Sequence, residues 1–81
     1  MRVEVLLFAA AREKAGAARL GLDLADGATV ADLWTRLGDE HPALAPVLAR
    51  CRAAIDEEFA SPTALLREGA IVAVLPPVSG G

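Results

Sequence analysis

The stretch "ATVADLWTRLGDEHP", residues 28–42, carries the clearest helical period in this chain of 81 residues. Val30, Leu33, Trp34 and Leu37 fall at i, i+3, i+4 and i+7 and make one continuous apolar face. Thr29 is placed to cap the helix, with Asp32 three residues on to return the bond. Pro42 closes it, because the residue before a proline is pushed out of helical geometry. A helix with a single apolar stripe must lay that stripe on something. What surrounds it decides the fold class.

The surroundings read mainly as strands. Val3 to Phe8 is apolar apart from Glu4, with Val3, Val5 and Leu7 on one face and Glu4, Leu6 and Phe8 on the other. "AAAREKAG" favours a short helix ended by Gly16 in a left-handed cap. Leu20, Leu22 and Leu24 alternate as a half-buried strand that Asp26-Gly27 turns out of. "ALAPVLAR" reads as a helical turn or as a loop broken by Pro46. Cys51 to Ile55 is a further short strand, Asp56-Glu57-Glu58 a turn, and Phe59 the return. After a turn at Glu68-Gly69, Ala70 to Leu75 is the last strand, with Ile71, Ala73 and Leu75 opposite Val72 and Val74. The expected architecture is α+β: a small sheet with one main helix across a face. The first and last strands, apolar on both sides, belong at its centre.

Composition narrows the function. At 81 residues and 54% hydrophobic, the chain is one domain with material for a core. Its net charge of −3, with Arg2, Arg12, Lys14, Arg19, Arg36, Arg50, Arg52 and Arg67 scattered, argues against nucleic acid. "MRVEVLLFAAA" mimics an export signal, but Glu4 interrupts the apolar run and Arg12-Glu13-Lys14 follow at once. No run approaches the ~18 apolar residues of a membrane span. A single cysteine, Cys51, allows no internal disulfide and suits a reducing compartment. A cytoplasmic protein that touches neither membrane nor nucleic acid is expected.

Conventional catalytic parts are missing. Cys51 has arginine neighbours, yet in a strand these point to the opposite face, and it reads as a small structural hydrophobe. His41 reads as a solvated residue after the helix. Consecutive carboxylates at Asp56, Glu57 and Glu58 diverge and read as a solvated turn. There is no phosphate-binding glycine loop, nucleophile elbow or zinc spacing. The chain is not expected to be catalytic alone, nor to hold a cofactor or metal.

Two features ask for more. One is the second apolar face of the first and last strands, carrying Leu6 and Phe8, which suits a protein partner; its bland alternative is a core wrapped on both sides by loops. The other is the end, "LPPVSGG". Pro76 and Pro77 cannot donate to a sheet and hold the chain extended. From Pro77, Val78-Ser79-Gly80-Gly81 reach at most ~18 Å, ending in residues slim enough for a narrow channel. The reactive group delivered there is the Gly81 carboxylate, a poor acyl electrophile until activated. This divides the chain into a folded part, 1–75, and a tail, 76–81.

Taken together, "LLFAAAREKAG", "TVADLWTRL" and "LREGAIVAVLPPVSGG" resemble the small subunits of molybdopterin synthase, nearly end to end. The resemblance implies a ubiquitin-like β-grasp fold with a mixed sheet. It implies that an adenylyltransferase resembling ubiquitin-activating enzymes uses ATP to adenylate Gly81, and that a persulfide donor then supplies sulfur for a thiocarboxylate. The tail would next enter the large synthase subunit and give its sulfur to a cyclic pyranopterin monophosphate. On this expectation Phe8, Phe59 and Leu75 form the apolar contact with either partner. Carriers for thiamine, cysteine or tRNA thiolation, and ubiquitin-like modifiers, remain the alternatives. The sequence departs from the pattern at Asp56, where Asn is expected, and at Ala70-Ile71, where an acidic pair is expected.

Overall fold

The computed structural model describes residues 1–77. Five strands form one mixed sheet: β1 (Arg2–Leu7), β2 (Arg19–Asp23), β3 (Arg52–Ile55), β4 (Glu58–Ala60) and β5 (Ile71–Leu75). Their order is β2-β1-β5-β3-β4, with β1 and β5 parallel and the other neighbours antiparallel. The two strands with apolar residues on both faces are therefore flanked on both sides, as their composition requires.

Alternation sorts each strand. Val3, Val5 and Leu7 of β1 and Val72 and Val74 of β5 are buried. On this side lie α1 (Ala9–Ala15), α2 (Val30–Glu40), a 3₁₀ turn (Pro42–Leu44) and α3 (Ala45–Leu48). The α2 stripe meets the sheet as its period dictates: Val30, Leu33 and Leu37 are buried, and Trp34 is half-buried at the stripe's edge. Leu44 and Leu48 close the core beside them.

Polar groups at the helix ends find partners. Thr29 and Asp32 form the reciprocal capping box, the Asp32 amide donating to Thr29 Oγ1 at 3.3 Å and the Thr29 amide to Asp32 Oδ2 at 2.8 Å. The next free donors, the amides of Val30 and Ala31, reach the Ala64 and Pro62 carbonyls at 3.0 and 2.9 Å. Loop 61–67 is thereby clamped along the start of α2. Gly16 ends α1 at φ 73°, the left-handed region its lack of Cβ permits.

"ALAPVLAR" is not broken by Pro46. That proline lies in the first turn of α3, where a missing amide hydrogen costs nothing. The Trp34 indole donates to the Leu48 carbonyl at 3.0 Å and fastens α3 to α2. The segment thus covers the helical side, and among the described residues no layer covers the other face of the sheet.

Candidate functional site

Strand register defines that uncovered face. Leu6 is paired with Ala73, Ala73 with Ala54, and Ala54 with Phe59, which puts the four in one row across the sheet. The adjacent row toward the end of β5 pairs Leu75 with Arg52. The row on the other side pairs Glu4 with Ile71.

Leu6, Phe8, Ile71, Ala73 and Leu75 line a shallow hollow on this face, with Ala54 at its floor. Phe8 is 44% exposed and Ile71 41%, high for large apolar side chains. At one rim the hairpin turn between β3 and β4 brings Asp56 and Glu57 against the apolar wall. Both turn residues have positive φ, 49° and 74°, where glycine or asparagine sits most cheaply. Asp56 is anchored: its Oδ1 accepts from the Ile71 amide at 3.4 Å, and its Oδ2 lies 3.6 Å from Arg67.

Two of the three expected contact residues, Phe8 and Leu75, share this hollow. Phe59 does not line it. It sits on the edge strand β4, two strand spacings (~10 Å) from β5. Its ring is 65% exposed, with the Arg52 guanidinium 4.2 Å from the ring centroid. It borders a different hollow, against Trp34 and Pro62. Its pairing with Ala54 puts it on the same face; the width of β3 moves it away from the other two.

Leu75 leads directly into Pro76 and Pro77, which are exposed and outside any strand. The chain therefore leaves the sheet at Leu75, which shares the hollow with Phe8. Val78, Ser79, Gly80 and Gly81 lie outside the described residues.

Cys51 immediately precedes β3 and is half-buried, and burial pushes its thiol pKa up from the ordinary value. Less thiolate at neutral pH suits a packing residue rather than a nucleophile. His41 is half-buried at the end of α2; its amide donates to the Leu37 carbonyl at 2.8 Å. Among the described residues no group of three or more His, Cys, Asp or Glu side chains is placed to hold a metal ion. Nor is any helix among them long and apolar enough to cross a membrane.

A five-strand mixed sheet gripping one main helix, with parallel terminal strands at its middle, is the β-grasp of ubiquitin-like proteins. SAMP1 from Haloferax volcanii superposes on it with a TM-score of 0.88 at 31% identity, covering 100% of both chains. The ThiS family profile matches residues 5–81, and the chain belongs to the ThiS family. The molybdopterin synthase sulfur carrier subunit of Chlamydomonas reinhardtii is 40% identical over 83 residues, covering 100% of each protein. A further neighbour comes from a complex of subunits 1 and 2 of molybdopterin-converting factor from Helicobacter pylori, at TM-score 0.73 and 26% identity, with 100% of both chains covered.

Proposed function

We propose that this chain is the sulfur-carrying subunit of a molybdopterin synthase working in the cytoplasm. The observation that carries the reading is the uncovered apolar hollow around Phe8 and Leu75, at the root of a Pro-Pro-Val-Ser-Gly-Gly tail. The 40% identity to an algal sulfur carrier and the likeness to one subunit of a two-subunit complex support it.

The chemistry falls on Gly81. Its carboxylate oxygen attacks the α-phosphorus of ATP in the active site of an adenylyltransferase, and pyrophosphate leaves. Hydrosulfide, released from a protein persulfide by a thiol, attacks the acyl carbon, and AMP departs with the bonding pair. The resulting thiocarboxylate is the better nucleophile at neutral pH. The tail then carries it into the large subunit, where the sulfur passes to a cyclic pyranopterin monophosphate. Two charged tails supply the two sulfurs of one dithiolene. Pro76 and Pro77 stiffen the approach, and Val78, Ser79, Gly80 and Gly81 thread the channel. Phe8 and Leu75 anchor the partner, with Phe59 as an outlying contact at the edge strand. This chain binds no cofactor of its own; ATP belongs to the activating partner.

Intact mass tests the assignment. After incubation with the activating enzyme, ATP and a sulfur source, the chain should gain the mass of one sulfur replacing one oxygen. Deletion of Gly81 should abolish the gain, and Cys51→Ser should retain it. Loss of the gain in Cys51→Ser, with retention in the deletion, would falsify the tail chemistry. The likeness to SAMP1, a small archaeal modifier protein, favours one second reading, ligation of Gly81 to lysines. That outcome would appear in the same spectra as conjugates to other proteins.

A further inference from the structure

The hollow is electrostatically lopsided. Along β5 its lining runs from Ile71 to Leu75, four steps of about 3.3 Å, so its ends lie roughly 13 Å apart. The Leu75 end is where the tail departs, with Arg52 paired across from Leu75. The Ile71 end is bounded by the β3–β4 turn. There Asp56 is balanced by Arg67, and Glu4 by Arg19 at 3.3 Å. Glu57 has no ion-pair partner among the described residues, and it lines the hollow directly. The turn end thus presents uncompensated negative charge on the rim of an apolar surface. A non-glycine residue held at φ 74° keeps that carboxylate at the rim in a conformation its side chain disfavours.

We infer that the face of the large synthase subunit that covers this hollow carries lysine or arginine side chains opposite Glu57. An apolar contact alone lets a small flat face dock in more than one rotation. A charge at one end, about 13 Å from the tail root, removes that freedom and admits only the orientation in which the tail meets the channel mouth. The inference rests on the proposed pairing with the large subunit and names what that partner's surface must contain.

The test measures association of the purified chain with the cognate large subunit at low and high ionic strength, for wild type, Glu57→Gln, Glu57→Lys and Phe8→Arg. Far-UV circular dichroism verifies that each variant is folded. At low salt the association rate should fall about threefold for Glu57→Gln and about tenfold for Glu57→Lys, converging near 0.5 M salt where the Debye length is only a few ångströms. Phe8→Arg should weaken binding at both salts. If both Glu57 variants match wild type at low salt while Phe8→Arg loses binding, the docking face stands and the basic rim is overturned. If Phe8→Arg also binds normally, the hollow is not the docking face and both ideas fall. A chain that sediments as a dimer, becomes monomeric on Phe8→Arg and still binds the large subunit unchanged assigns the hollow to a second copy, which overturns the inference.

Discussion

Single side chains show where this fold keeps stability and where it forgoes it. Glu57 holds φ 74° with a Cβ and a long side chain, and Asp56 precedes it at φ 49°. Glycine tolerates that backbone region without steric cost. Glu57→Gly should therefore raise unfolding free energy by about 1 kcal/mol, read as a higher urea midpoint at unchanged slope. The same variant should slow association with the large subunit, so stability and binding would move in opposite directions. A loss of stability would show that the Glu57 side chain makes a contact worth more than the strain. Cys51 is the contrasting residue: burial raises its thiol pKa, which agrees with a packing role.

Among the elements, α2 was the most legible. Its four-residue apolar stripe and its Thr29–Asp32 cap both appear in the structure as their spacing requires. Thr29→Ala should cost about 1 kcal/mol in chemical denaturation, because it leaves a helix amide without its side-chain acceptor. An unchanged midpoint would mean that the clamped loop 61–67 already supplies what the cap does. Pro46 was less legible, since proline marks a helix break or a helix start and only the neighbouring turn decides. The β3–β4 turn carried a weaker signal still: Asp-Glu lacks the glycine or asparagine that usually announces such a hairpin. Phe59 illustrates another limit. Alternation assigns a face, but the strand order that separates Phe59 from Leu75 arises from long-range pairing that no local pattern encodes. Leu6, Ile71 and Ala73 were visible as one face; their closure into a hollow rimmed by Asp56 and Glu57 was not.

The whole molecule is one sheet with two unlike faces. On the helical side Leu33 is fully buried, and Leu33→Ala should cost about 2–5 kcal/mol through lost transfer energy and the cavity left behind. On the open side Phe8 is already 44% exposed, and Phe8→Arg should leave thermal unfolding near that of wild type while reducing partner affinity. Comparison of the two variants by calorimetry and by binding separates folding from docking. A large stability loss in Phe8→Arg would reassign that face to the core.

The parallel pairing of β1 with β5 has a mechanical consequence. If a partner draws on the tail, as the proposed function requires, the load enters β5 along its own axis. The β1 and β3 hydrogen bonds that hold β5 lie across that axis. They are strained together, in shear, instead of being unzipped one at a time from a free end. Under the proposed function, this geometry lets the domain be drawn toward a partner by its tail and withdrawn while still folded.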